Sequence, residues 1–191
     1  TFNPSFGIQY RLLENLRLHG SFGTAFSVPD AYKVAGKYEV SVYFPDWDYW
    51  WRQSYVGNAD LKPEKSNTTD LGIKYAIDNA LNIDLTYFTT RHTDKMVEST
   101  LESGDKTYIN ANKSNMNGLE INAAIDFGFL ADNHFKLELY SNWTFLFNAE
   151  VEIEKEGKTL TQDMLYVRKS SGNFGLSFAK NNFSTRLNGR Y

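Results

Sequence analysis

Residues 57–91 read GNADLKPEKSNTTDLGIKYAIDNALNIDLTYFTTR. A loop ends near Ser66, a strand follows over about Asn67 to Ala76, and a tight turn at Ile77-Asp78-Asn79-Ala80 returns the chain into a second strand, Leu81 to Arg91. In that second strand Leu81, Ile83, Leu85 and Tyr87 share one face, and Asn82, Asp84 and Thr86 share the other. Strict period-two alternation marks a strand with one apolar and one polar face, because successive side chains leave a strand on opposite sides.

The same device recurs outward in both directions and predicts about eight strands. Upstream, strands are expected at Phe2–Arg11 and Leu16–Ala25 around a turn at Leu13-Glu14-Asn15. Downstream, they are expected at Thr107–Phe127 (with a break near Ser114-Asn115), Phe135–Phe145, Gly172–Ala179 and Phe183–Tyr191. The turns after the first, third, fifth and seventh strands are short. Those after the second, fourth and sixth are long: Phe26–Lys65, Thr93–Lys106 and Asn148–Lys169. Sorting of loop length by side is a property of outer-membrane barrels. The expected fold is therefore all-β: an antiparallel up-and-down transmembrane β-barrel wall. Arg17, His19, Asp70, Lys74, Asp84, Glu120, Asp126, Lys136, Glu138, Arg186 and Arg190 would line its inside. The alternative is a soluble antiparallel β-protein with its polar face in solvent, acting as a structural or partner-binding module. Dependence on detergent separates the two.

Composition narrows the field. The 191 residues carry a net charge of -3, are 41% hydrophobic and 16% aromatic, and include no cysteine. This excludes a disulfide framework and a thiolate metal site. No run of 18 apolar residues offers a transmembrane helix. No basic stripe argues for nucleic acid. No signal peptide is expected, and the chain reads as an internal piece of a longer one.

The segment Phe26–Lys65 lacks clear alternation and is rich in Tyr and Trp. Tyr43, Trp47, Tyr49, Trp50, Trp51, Arg52 and Tyr55, with Asp46 and Asp48, are the candidate ligand contacts. Large rigid rings with polar handles suit flat or ring-bearing ligands. Mutual packing that orders a long loop accounts for the same rings equally well. Glu150, Glu152, Glu154 and Glu156 would share one face of an extended hairpin, read as solvated rather than as a cation site. No nucleophile–His–Asp pairing, metal-ligand spacing or phosphate loop is present. No catalytic residue, metal or cofactor is assigned, and the chain is not read as an enzyme.

Four segments resemble the TonB-dependent outer-membrane receptors. Phe22–Asp30 resembles the family's strand-to-loop motif, with Phe26 and Pro29. Gly57–Ser66 resembles the segment that re-enters the barrel, with Gly57, Asn58, Leu61, Pro63 and Glu64. Tyr87–Val97 is similar to a following strand. Tyr108–Glu120, with Gly118 and Glu120, is similar to the next. The resemblance covers nearly the whole chain. It implies that residues 1–191 are part of one 22-stranded barrel domain, roughly strands eleven to eighteen, without the plug domain and last strands, and with an extracellular loop at about 27–65. It implies location in a bacterial outer membrane and contact with its lipid. It further implies uptake of a scarce bulky ligand (iron-siderophore, haem, cobalamin or glycan), driven through the plug by the periplasm-spanning coupling protein TonB. Haem receptors of the family carry a histidine between the two loop motifs, and none stands between Ser27 and Asn58 here.

Overall fold

The computed structural model describes residues 2–191 apart from 79, 133, 156, 157 and 165. Eight antiparallel strands form one continuous wall: β1 (Ser5–Leu13), β2 (Leu16–Ser27), β5 (Glu64–Ile77), β6 (Leu81–Thr100), β7 (Lys106–Asp126), β8 (Lys136–Lys155), β10 (Ser170–Lys180) and β11 (Phe183–Arg190). They pair in that order, each with its neighbour in sequence along the wall, and β1 and β11 are the two edges. Three strands lie off this path. β3 (Lys37–Phe44) and β4 (Tyr49–Val56) form a hairpin within the long connection, and β9 (Lys158–Asp163) folds back on the far end of β8.

Register gives the wall two chemically different faces. Arg17, Lys74, Asp84, Asn122, Asn142, Asn173 and Arg190 run across it as one polar row. The adjacent row, on the other face, is Tyr10, Leu18, Ile73, Leu85, Ile121, Trp143 and Gly172. The expected inward charges all fall on the polar face. There His19 Nε2 lies 3.1 Å from Asp84 Oδ1, Ser21 donates to Asp70 at 2.7 Å, and Lys136 pairs with Glu138 at 2.9 Å. Among the described residues the only fully buried side chain is that of Ser114, so no hydrophobic core exists within the sheet. Ile8, Leu71 and Leu187 remain 61%, 62% and 68% exposed. An apolar face this extensive needs an apolar cover outside the chain. From Leu137 to Phe145 the band rises about 26 Å along the strand, or about 20 Å along a barrel axis at the usual tilt, which fits a bilayer. Phe135, Phe178 and Phe183 cluster at its short-turn end with ring centroids 6.1 and 6.3 Å apart. Trp143 and Phe145 stack at 6.0 Å toward the other.

Several sequence expectations need correction. β6, β7 and β8 run 20, 21 and 20 residues, about twice what a membrane crossing requires. The connections expected at Thr93–Lys106 and Asn148–Lys169 are thus mostly strand: only residues 101–105 separate β6 from β7, and β8 continues into its hairpin with β9. No break occurs at Ser114-Asn115, which pair in the ladder with His92 and Arg91. The irregularity lies lower, where Asn117 pairs with Asn148 but Gly118 pairs with Leu146, leaving Phe147 as an extra residue on β8. Beyond this bulge Glu150 and Glu152 join the apolar band's side of the wall, opposite Asn115 and Lys113. Glu156 lies outside the described residues. The turn after β7 is a 3-10 helix, Phe127–Ala131, whose first turn is capped by the Asp126 carboxylate accepting from Gly128 N at 2.9 Å.

Candidate ligand-contact site

The long connection between β2 and β5 is built, not irregular. Asp30 leads into a single helical turn, α1 (Ala31–Val34), and Lys33 closes back on Asp30 at 2.9 Å. Gly36, at φ 85°, then turns the chain into β3. Tyr38, Val40, Val42 and Phe44 alternate along it, a period-two signal that the surrounding aromatics obscure. The tip is a 3-10 turn, Pro45–Trp47, followed by Asp48 in the left-handed region. Short polar residues tolerate that region best. The Tyr43 hydroxyl donates to Asp48 Oδ1 at 2.7 Å, holding the turn and raising the Tyr43 pKa.

Hairpin register divides the seven candidates. Tyr49, Trp51 and Tyr55 share a face with Phe44, Val42 and Tyr38. Tyr43, Trp50 and Arg52 lie on the opposite face, and Trp47 stands at the tip. Tyr43 and Trp50 pack at 5.0 Å and Phe44 and Trp47 at 5.9 Å, so the rings do order one another. They remain open to solvent nonetheless: Trp47 is 75% and Trp50 53% exposed. Arg52 reaches Glu39 only at 4.0 Å, leaving its guanidinium available. Tyr55 behaves differently. It stacks on Tyr38 at 4.9 Å with planes 5° apart, approaches Tyr108 of β7 at 6.2 Å, and donates to Glu98 of β6 at 3.0 Å.

Tyr55 therefore belongs to the base that docks the hairpin on the wall. β4 meets the free upper edge of β7 in a single parallel pairing, Tyr55 with Lys106. Thr107 donates its hydroxyl to Val56 O at 2.8 Å, and Asn58 Nδ2 donates to Tyr108 O at 2.9 Å. Asn110 accepts from Lys62 N and donates to Lys62 O, both at 2.9 Å. The Lys33 ammonium sits 5.5 and 5.4 Å from the ring centroids of Tyr32 and Tyr108. This cage of Tyr32, Lys33, Tyr38, Tyr55 and Tyr108 was not visible in the sequence, because its members come from α1, β3, β4 and β7. Loss of solvent pushes the Tyr38 phenol up to about 12, with Tyr108 adding a hydrogen bond. Loss of solvent, then Glu98, raises Tyr55 as well.

The motif residues that the sequence marked are explained here by geometry. A Cβ on Gly57 would lie 2.6 Å from Ala35 N, so only glycine lets the chain cross α1 at this point. Asn58 accepts from Asp60 N at 3.0 Å as it turns the chain, and Glu64 accepts from Met96 N at 2.6 Å, bracing β5 against β6. Gly118 lies against the carbonyl oxygen of Phe145 beside the bulge. Glu120 lies on the polar face, lining a hollow of about 430 Å³ with Asn122, Asn142 and Arg190. Phe26 and Pro29 flank the exit from β2, and Leu61 and Pro63 the entry to β5, all partly covered. Of the histidines, His19 pairs with Asp84, and His134 Nδ1 hydrogen-bonds Ala131 O at 2.9 Å. Among the described residues no group of three or more His, Cys, Asp or Glu could hold a metal ion.

Comparison with known proteins places these features. The family model of the TonB-dependent receptor-like β-barrel matches residues 1–191. The protein named "Probable TonB-dependent siderophore receptor PirA" of Acinetobacter baumannii is 33% identical over 115 residues, which are 58% of this chain and 15% of that receptor. The crystal structure of the siderophore receptor PirA from Acinetobacter baumannii superposes with a TM-score of 0.64 and 23% identity over 94% of this chain and 27% of that one. A mutant of the ferric enterobactin receptor PfeA from Pseudomonas aeruginosa gives 0.68 and 20% over 98% and 27%. The hemophore receptor HasR of Serratia marcescens, solved with its hemophore HasA and heme, gives 0.67 and 16% over 98% and 31%. The chain thus spans less than a third of the length of these receptors.

Proposed function

Because this chain belongs to the TonB-dependent receptor family, as part of its β-barrel, we propose that it forms a stretch of wall in an outer-membrane receptor that takes up a ferric siderophore, and that the β3–β4 hairpin is its first ligand contact. In this reading residues 1–191 are part of a single plugged barrel domain. The apolar band lies in outer-membrane lipid, residues 27–65 are extracellular, and uptake is coupled to TonB through a plug domain. The observation that carries the reading is the exposed hairpin of Trp47, Trp50, Tyr43 and Arg52, braced at the long-connection end of a wall that is polar on one face and apolar on the other. Open aromatic planes beside a cationic guanidinium suit an anionic chelate with flat arms. The siderophore receptors among the relatives support the same ligand class. Haem is less well matched, since no histidine stands between residues 27 and 58.

The experiment is titration of the full-length receptor in detergent with ferric siderophores, haem, cobalamin and oligosaccharides, read by tryptophan fluorescence. A saturable change with a ferric siderophore, reduced at least tenfold in affinity by Trp47→Ala with Trp50→Ala, is expected. A folded receptor that responds to haem or to a glycan instead overturns the ligand class. An unchanged affinity in the double variant returns the hairpin aromatics to loop packing.

A further inference from the structure

We propose that Lys65, Arg91 and Lys113 form a binding face on the outside of the wall for the phosphate groups of outer-leaflet lipid. The proposal rests on the outer-membrane placement above, but on residues the uptake reading does not use. The last apolar row at the long-connection end is Leu71, Tyr87, Leu119 and Phe145. Above it on the same face come Thr69, Thr89 and Asn117, then Asn67, Arg91 and Asn115, then Lys65, Thr93 and Lys113. Each row adds about 5 Å along a tilted barrel axis. Arg91 therefore lies about 10 Å above the apolar band and the two lysines about 15 Å above it. The polar layer of a leaflet is about 5–8 Å deep, and long basic side chains reach down toward it while their stems lie on the wall.

The three cations come from adjacent strands, so they span about 10 Å, the footprint of a lipid headgroup rather than of a dispersed surface. Lys65 and Arg91 are exposed, Lys113 is half-buried, and none of the three makes an ion pair among the described residues. Asn67, Thr93 and Asn115 stand between them as neutral hydrogen-bonding groups. Carboxylates bound the patch on one side only: Glu152 faces Lys113 across the ladder, Glu150 faces Asn115, and Asp163 of β9 faces Glu150. Beyond β7 the outer face turns acidic, and across β5–β7 it is basic. A cationic patch immediately above an apolar band meets the two halves of an anionic amphiphile at once.

The test uses the full-length receptor in detergent and three probes: bisphosphorylated lipid A, the same lipid with its phosphates removed, and inorganic phosphate. The bisphosphorylated lipid should bind the wild type roughly 100-fold more tightly than the Lys65→Gln/Arg91→Gln/Lys113→Gln variant, at roughly fivefold per cation. The dephosphorylated lipid should bind both proteins alike, and Lys74→Gln, on the polar face, should leave lipid affinity unchanged. Equal binding of the two lipids by the wild type, an unaltered triple variant, or displacement of the lipid by inorganic phosphate alone would overturn the proposal. The ferric-siderophore fluorescence response, retained in the triple variant, shows that protein to be folded. Its absence from the wild type would sink the uptake reading while leaving the lipid comparison intact.

Discussion

Replacing Gly57 by alanine should undock the β3–β4 hairpin. The added Cβ would stand 2.6 Å from Ala35 N and 2.8 Å from the carbonyl carbons of Val34 and Ala35, all backbone atoms that no rotamer change can move aside. Relief requires the chain to lift off α1, which breaks Gly57 N to Gly36 O and Asn58 N to Lys33 O, both 2.8 Å. Overpacking costs about 1–3 kcal/mol and each lost hydrogen bond about 1 kcal/mol. Together these come to about 3–5 kcal/mol, a shift of roughly 150- to 4,000-fold toward the undocked state. Gly36 provides the contrast. Its φ of 85° makes alanine strained, but nothing lies within 4 Å of its Cβ position, so the cost is only about 1–2 kcal/mol. Amide hydrogen exchange over residues 37–56 in the full-length receptor reads both variants. Gly57→Ala should lose protection across the whole hairpin, and Gly36→Ala should lose about tenfold. Equal protection in Gly57→Ala and wild type would refute the claim that the crossing over α1 holds the hairpin in place.

Other perturbations test the wall and the tyrosine cage. Ile83→Arg, in the middle of the apolar band, should destabilise the receptor in lipid by about 2–4 kcal/mol, whereas Asn82→Arg, one residue away on the polar face, should be tolerated; equal effects in detergent-lipid unfolding would contradict the assignment of faces. Gly118→Ala should lower the unfolding midpoint by disrupting β7–β8 pairing at the bulge, since its Cβ meets the Phe145 backbone. Docking of the hairpin should also weaken at high pH. Tyr38 titrates at about 12 when packed and near the ordinary 10 when released, so the docked state binds the extra proton between those values. Its contribution is whole below pH 10 and lost as pH rises toward 12. Tyrosinate absorbance that rises without any change in hairpin exchange would contradict the coupling.

Within the membrane band the fold was readable, because lipid on one side and a polar interior on the other write opposite chemistry onto alternate residues. Above Tyr87 that contrast ends. The run TTRHTDKMVEST is polar on both faces, and its continuation as strand depends on pairing with β7 rather than on any pattern of its own. The KSNMN stretch looked like a break for the same reason. The hairpin was half legible: Tyr38, Val40, Val42 and Phe44 alternate, but aromatics on the opposite face of β4 mask the period. The candidate residues fall on one hairpin inside a segment whose sequence reads as an irregular loop, and their division between two faces and a tip follows from register. Tyr55 could not be separated from its neighbours without Glu98 and Tyr108, which lie about fifty residues away in sequence. Gly57 and Gly118 stood out as motif positions, while the backbone contacts that demand glycine there exist only in three dimensions.

The extra residue at Phe147 has a meaning beyond its own bulge. Alternation is a binary count, and one uncounted residue inverts it for all that follows on β8. Were Phe147 taken into the regular ladder opposite Asn117, Ala149 and Val151 would face the surroundings of the receptor, while Glu150 and Glu152 would turn toward its interior. Deleting residue 147 would instead remove only the bulge and leave Glu150 and Glu152 on the outer side, opposite Asn115 and Lys113. Loss of the bulge with residue 147 kept would be a change of sign for the upper wall, whereas loss of the residue itself would only straighten the strand.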